Sequence, residues 1–377
     1  MKCQASRRCG SCRYIEDDYQ KQLSTKHNYF QKLYKDFHVD VHPVIGMDYP
    51  YTYRNKVIVA FNQNYEYGLY EEASHRIVPI KECLLHDNET HRVLNKLQSL
   101  FKKYRISIYD QKRNKGFLKH VLIRRAVVTN QTLVVLVVTD QMFKGSKNFC
   151  NELIKSCPTV QSIVLNINKR QTSVVLSNQE KVLYGKGFIV DELCGLTFKI
   201  SAQSFYQINH EQCTKLYNHI IKLLDIQEND LILDTYCGIG TIGMIVATYA
   251  QNVLGVELNK EAYKDALNNA KMNKIKNIHF INQDATEFMK EQAALKKQVD
   301  SIIMDPPRAG STKEFINAVK VLNPRKVIYV SCDPHTQVRD LKEFNKIGYT
   351  FKDVYLFDMF PHTEHVETVC LMSRKEK

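Results

Sequence analysis

The chain has 377 residues, 44% of them hydrophobic, which is enough apolar material for two folded cores, so two domains are expected. Its longest apolar run, "LVVLVV" at 133–138, is far too short to span a membrane, and the opening "MKCQASRRCG" carries charge without an apolar export region. Neither a membrane-spanning nor an exported protein is expected from these features, and the cytoplasm is the expected location. There, eleven cysteines serve metal ligation, catalysis or packing rather than structural disulfides.

The formal net charge is +13, unevenly spread. Residues 1–195 hold 30 Lys and Arg against 18 Asp and Glu, a net of +12; residues 196–377 hold 23 against 22. Such asymmetry points to a polyanionic partner, most simply nucleic acid. No internal repeat or low-complexity tract interrupts the chain.

The first segment, "CQASRRCGSC", spaces Cys3, Cys9 and Cys12 as C-x5-C-x2-C, and Cys83 in "IKECLLHD" is the natural fourth thiol. Four thiolates suit a [4Fe-4S] cluster or one zinc ion, and the spacing is not that of paired zinc-finger knuckles. A metal held this way would tie the N-terminus onto a first, β-rich domain. Residues 16–36 have amphipathic helical periodicity. The segments "YRNKVIVAFN", "YEYGLYEE", "HVLIRRAVV", "TLVVLVVTD", "SIVLNINK" and "TSVVLSN" read as strands, with a helix over 145–156. Tyrosines interleave the basic residues here, among them Tyr51, Tyr53, Tyr65, Tyr67 and Tyr70, as RNA-stacking surfaces require.

After residue 228 strand and helix alternate. "LILDTY", "NVLGVEL", "IHFINQDA", "VDSIIMDPP" and "KVIYVSC" are strands separated by helices, and "FKDVYLFDMF" and "ETVCLMSR" close the chain as two more. Such βαβ alternation predicts a doubly wound, mainly parallel sheet that binds ligands at its C-terminal strand ends. The expected fold class is α/β: a Rossmann-like C-terminal domain, 196–377, behind a β-rich α+β domain, 1–195. The helix near 16–36 is free to pack on the catalytic domain.

The strand ends carry the chemistry. In "DTYCGIGTIG", Gly238, Gly240 and Gly243 fit G-x-G-x-x-G between a strand and a helix, where the backbone approaches a ligand closely. Glu257 ends the next strand and suits ribose hydroxyls; the pattern alone does not separate NAD from S-adenosylmethionine. Asp284 follows the third strand, where a polar group could meet an adenine edge. "DPPRAG" sets two prolines as a stiff wall, with Asp305 and Arg308 as polar handles. Cys332 stands on an exposed corner in "VSCDP", where a nucleophile belongs and a packing cysteine does not. Glu367, opening the last strand, is placed to act as a base, with His362 and His365 as nearby alternatives. A cysteine, a carboxylate base and a methyl-donor site are what methylation of uracil carbon 5 needs. The thiolate adds at carbon 6, carbon 5 takes the methyl group, and the base removes the carbon-5 proton.

These motifs, with "SFYQIN" at 204–209, "VELN" and "FPHTEHVET", occur in the order found in the RNA (uracil-C5)-methyltransferases, which the whole chain resembles. The likeness is greatest to the short 23S rRNA type that lacks an amino-terminal TRAM domain. The resemblance implies that Cys332 is the nucleophile and Glu367 the base. It further implies that Gln207, Tyr236, Glu257 and Asp305 contact S-adenosylmethionine, together with the glycine turn. Cys3, Cys9, Cys12 and Cys83 would be ligands of a structural [4Fe-4S] cluster. The family often has Asn after the nucleophile, where this chain has Asp333. The expected product is 5-methyluridine, in 23S rRNA, made by a monomer that grips RNA through its basic first half. Two other readings remain at this point: an NAD-dependent oxidoreductase, resting on the glycine pattern alone, and a catalytically silent, cluster-bearing RNA-binding protein.

Overall fold

The computed structural model describes residues 3–6, 8–72, 74 and 76–374. The amphipathic N-terminal segment forms α1 (Tyr19–Tyr34), opened by Asp18, whose side chain accepts the Lys21 amide at 3.0 Å. It buries Gln22, Lys26, Phe30 and Tyr34, one residue per turn on a single face. That face lies on the large C-terminal sheet: the Lys26 ammonium and the Tyr19 hydroxyl both reach Asp358, at 2.6 and 2.7 Å. The short strand β1 (Asp40–Val41) then joins the edge of the same sheet.

The β-rich unit follows: β2 (Lys56–Phe61), β3 (Tyr67–Tyr70), β4 (Ile77–Pro79), α2 (Asn88–Lys103), β5 (Leu118–Arg125), β6 (Thr132–Val138), α3 (Ser146–Ser156), β7 (Val160–Ile167) and β8 (Glu180–Tyr184). Its sheet runs β4-β3-β2-β5-β6-β7-β8. Only β6 and β7 pair in parallel, joined by α3 as the crossover. Every residue of β6 is buried, which is why "TLVVLVV" shows no alternation. The expected strand "TSVVLSN" at 172–178 does not form. Its backbone is satisfied by side chains instead: Asn168 Nδ2 donates to the Val174 and Val175 carbonyls, each at 2.8 Å, and Asn166 Nδ2 to that of Ser177, also at 2.8 Å.

A tight hairpin, β9 (Phe188–Leu193) and β10 (Leu196–Ser201), turns through Cys194 and Gly195 at φ 50° and 79°. Its Thr197 and Lys199 amides donate to Asn273 and Asn269, each at 2.8 Å, and so dock the hairpin on a helix of the second half.

That half comprises α4 (His210–Leu224), β11 (Leu231–Asp234), α5 (Thr241–Ala247), β12 (Asn252–Glu257), α6 (Lys260–Met272), β13 (Ile278–Asn282), α7 (Ala285–Ala294), β14 (Ser301–Met304), α8 (Lys313–Leu322), β15 (Lys326–Ser331), α9 (Pro334–Lys346), β16 (Tyr349–Thr350), β17 (Asp353–Phe357) and β18 (Glu367–Arg374). The sheet order is β1-β17-β18-β15-β14-β11-β12-β13, with β16 also on β18. All main strands are parallel except β18, which runs antiparallel between β15 and β17. Strand order reverses between β11 and β14, and a doubly wound sheet opens its ligand crevice at such a point. The reversed β18 brings its first residue, not its last, to that crevice.

Candidate active site

The crevice is built from strand ends at matched levels. Asp234 pairs with Ile303 on one side and Gly255 on the other. Two residues further along each strand, Tyr236, Asp305 and Glu257 therefore stand side by side. The glycine turn between β11 and α5 is fixed from below, where Asp234 Oδ2 accepts the Gly243 amide at 2.8 Å. Gly240, at φ 83°, has no room for a side chain, since a Cβ there would meet the Phe280 ring at 2.8 Å. Gly238, at φ 57°, faces open space. Its amide donates to Glu257 Oε2 at 2.9 Å, while Oε1 of the same carboxylate takes the Asn259 amide at 2.6 Å. Glu257 is thus held beside an open stretch of backbone. A cavity of about 430 Å3 adjoins it, lined among others by Ser204, Phe205, Gly238, Glu257 and Asp265.

The other expected cofactor contacts lie off that lining. Tyr236 stacks on Phe315 at 5.9 Å, and the Gln207 carbonyl accepts from Asn55 at 2.9 Å. Asp284 is the N-cap of α7, with Oδ1 accepting the Thr286 and Glu287 amides at 2.9 and 3.1 Å. Asp234 had no role in the sequence reading. Its Oδ1 is buried without a partner, and burial pushes its carboxyl up to about 7. A donor on a bound molecule would satisfy this orphaned acceptor.

On the far side of β14 from this turn, β15 and β18 bring the two reactive candidates together. Ser331 pairs with Thr368, so continuing the antiparallel register sets Cys332 opposite Glu367. Glu367 is only 4% exposed, while Cys332 is half-buried at the edge of a second cavity. Burial, then the charge of Asp305, pushes the Glu367 carboxyl up to about 8, against a lowering by Arg308. Burial likewise pushes Asp305 up to about 7. Two acids sharing a dry site hold on to protons because both cannot be charged cheaply. Burial, then the Glu367 and Asp305 charges, raises the Cys332 thiol to about 11; Arg308 opposes this by charge and by a hydrogen bond. Arg308 was only a polar handle in the sequence. In the structure it is the cation facing the thiol and the acid together. Its turn is clamped by α9, where Arg339 Nη2 donates to the Ala309 carbonyl at 2.8 Å.

Asp333 takes no part in this cluster of charges: it caps α9, with Oδ1 accepting the His335 and Thr336 amides at 3.0 and 3.2 Å. Asn would cap equally well, so the departure from the family pattern is structurally silent. Behind Cys332 a buried network locks β15, β18 and α9. Gln337 Oε1 accepts from Tyr34 at 2.5 Å and lies 2.7 Å from the Thr368 hydroxyl. His362 is not a candidate base. Its Nε2 lies 3.0 Å from the Pro50 carbonyl, its Nδ1 lies 3.2 Å from Gln22, and its ring stacks on Tyr51. His365 is exposed on the cavity rim.

The four N-terminal cysteines are free and half-buried. Cys3, Cys12 and Cys83 pack against Ile15, Met47, Tyr53 and Leu85. Burial pushes Cys12 up to about 12, and charges on Cys83, Cys9 and Cys3 act on it from nearby. The donor set is therefore the right kind and shares one neighbourhood. Among the described residues, however, no three His, Cys, Asp or Glu side chains are arranged to hold a metal ion, so the expected centre is not shown. No helix among those residues is long and apolar enough to cross a membrane.

Comparison with known proteins places this chain in a family. Residues 18–375 match the model of the tRNA (uracil-5-)-methyltransferase family. An uncharacterized RNA methyltransferase of Staphylococcus aureus is 36% identical over 376 residues, spanning 98% of this chain and 83% of its own. Another from Bacillus cereus is 36% identical over 383 residues, covering 100% of this chain and 83% of its own. Among solved structures, the tRNA (uracil-54, C5)-methyltransferase of Pyrococcus abyssi, in complex with S-adenosyl-L-homocysteine, is similar with a TM-score of 0.81 and 26% identity. It covers 94% of this chain and 83% of that one. The oxidoreductase reading of the glycine pattern falls with this match: the chain belongs to the tRNA (uracil-5-)-methyltransferase family.

Proposed function

We infer that the protein transfers a methyl group from S-adenosylmethionine to carbon 5 of a uridine in RNA, in the cytoplasm. The observation that carries this is that Cys332 and Glu367 follow the Ser331–Thr368 pair on adjacent strands and share Asp305 and Arg308 as charged neighbours. Bound S-adenosylmethionine supplies the electrophilic methyl group. Cys332 sheds its proton to water at the exposed edge of the site, favoured by Arg308, and its sulfur bonds to carbon 6 of the uracil. Carbon 5, now enolate-like, would take the methyl group as the donor's sulfur–methyl bond breaks and S-adenosylhomocysteine leaves. Glu367, as carboxylate, removes the carbon-5 proton, and the electron pair left behind expels the Cys332 thiolate. Gln207, Tyr236, Gly238, Gly240, Glu257, Asp284 and Asp305 surround the donor in this reading.

Cys3, Cys9, Cys12 and Cys83 would hold a [4Fe-4S] cluster. What supports one shared centre is that the charges of Cys83, Cys9 and Cys3 all act on Cys12. The cluster would be structural, pinning the N-terminal segment to the β-rich unit, where Cys9 already bridges to Glu71. Anaerobic protein should contain iron and sulfide and absorb broadly near the blue edge of the spectrum. A Cys83→Ser variant should lose the iron, whereas zinc in place of iron would contradict the assignment.

For the substrate, 23S rRNA is the first reading. Transfer RNA is the second, favoured by the Pyrococcus abyssi neighbour. The test is to incubate the protein with S-adenosylmethionine and separately purified rRNA and tRNA from cells lacking it, then quantify 5-methyluridine by mass spectrometry. The fraction that gains 5-methyluridine identifies the substrate. No gain in either, with wild-type protein, favours the silent RNA-binding reading.

A further inference from the structure

A cavity of about 450 Å3 lies between α1 and the turn that carries the nucleophile, lined by Tyr14, Lys26, Tyr29, Arg308, Cys332 and His335 among others. Glu367 is not on this lining. A uracil that touches both Cys332 and Glu367 must sit deeper, which leaves the cavity to whatever adjoins the target. One residue there is unusual for a helix surface. Tyr29 is 47% exposed, yet its ring is fixed: its hydroxyl lies 2.8 Å from His335 Nε2, and its ring meets buried Phe30 edge-on at 5.4 Å and 83°. Holding a large ring still without burying it costs side-chain entropy and gains little hydrophobic energy. The arrangement suits a flat partner with a π-face, and a flanking RNA base is one. Lys26 is consumed by Asp358, so the aromatic surface, not that ammonium, characterises the wall.

We propose that this cavity seats the nucleotide next to the target uridine, with the Tyr29 ring as its stacking surface. His335 is then a positioning residue, set by the same α9 cap, Asp333, that follows the nucleophile. The proposal rests on the RNA-methylation reading above and adds a specificity-determining contact to it.

The test is a cycle of two changes. Methylation kinetics are measured for wild type, Tyr29→Ala and Tyr29→Phe on the RNA fragment that wild type modifies. The same fragment is also made with an abasic residue on the 5′ or the 3′ side of the target. Tyr29→Ala should lower kcat/KM on intact RNA by roughly tenfold or more, and Tyr29→Phe far less. One abasic RNA should cost wild type a similar factor and cost Tyr29→Ala nothing further. Affinity for S-adenosylhomocysteine should not change. Independent, multiplying losses with both abasic RNAs, or no loss in Tyr29→Ala, would overturn the proposal while leaving the methylation reading intact. Failure of wild type to methylate any RNA would overturn both.

Discussion

Cys332 and Glu367 face each other across an antiparallel strand pair at the mouth of an otherwise parallel sheet, one residue beyond the pairing of Ser331 with Thr368. The reversal of β18 makes this possible. A parallel last strand would present its C-terminal end to the crevice, and a base at its first residue would lie at the opposite edge of the sheet. The Glu367 charge raises the proton affinity of the Cys332 thiol, while burial and the Asp305 charge raise that of Glu367 itself. Arg308 is the counterweight to both.

That tension has a stability signature. The folded Glu367 carboxyl is raised to about 8 from its usual 4.5, so the folded state holds its proton where the unfolded chain has lost it. This contribution to stability is present below about pH 4.5 and is lost as pH rises to about 8. Glu367→Gln should therefore melt higher than wild type at pH 9, by ~2–4 °C or more, and close to wild type at pH 4. Calorimetric melts at the two pH values check this; an equal shift at both would contradict the assignment.

Arg308→Ala removes the cation that lowers both groups. Methylation at pH 7.5 should fall by roughly 10- to 1000-fold, with partial recovery toward pH 9.5 as the thiol ionises unaided. A pH profile of kcat/KM is the measurement. A loss independent of pH would assign Arg308 to RNA binding instead.

Asp333→Asn should leave activity and stability near wild type, because either side chain caps α9. Asp333→Ala should cost about 1 kcal/mol in urea unfolding. A large loss of activity in Asp333→Asn would mean that the carboxylate touches the substrate.

The Lys26 and Asp358 side chains are 3% and 0% exposed and 2.6 Å apart, joining α1 to the catalytic sheet. Lys26→Ala leaves a buried carboxylate without its counter-charge, held only by the Tyr19 hydroxyl, and should destabilise by about 3–5 kcal/mol. Combining Lys26→Met with Asp358→Leu should recover most of that loss, read from denaturant midpoints.

The strand-end motifs were legible in the sequence because their signals are local. Glycines at positive φ, prolines after a strand and apolar runs need no knowledge of distant partners. Two caps were equally local and still missed. Asp284 stands three residues before Glu287, and Asp333 immediately precedes Pro334, both recognisable helix starts. Asp284 was read only toward adenine, and Asp333 only as a departure from the family's Asn. Long-range features gave no such signal. The role of Arg308 depends on β18 folding back beside β15. His362 is consumed by Pro50 and Gln22, more than 300 positions away. The segment 172–178 has strand composition, but Asn166 and Asn168 satisfy its backbone first.

The most direct test of the account is whether Glu367→Gln traps the enzyme on its RNA. Protein purified without oxygen is mixed with S-adenosylmethionine and RNA and run on a denaturing gel. The account predicts a shifted band, a covalent adduct through Cys332 that cannot release its methylated uracil, and its disappearance in the Cys332→Ala, Glu367→Gln double variant. No adduct, with Glu367→Gln still forming free 5-methyluridine at the wild-type rate, would contradict the role assigned to Glu367.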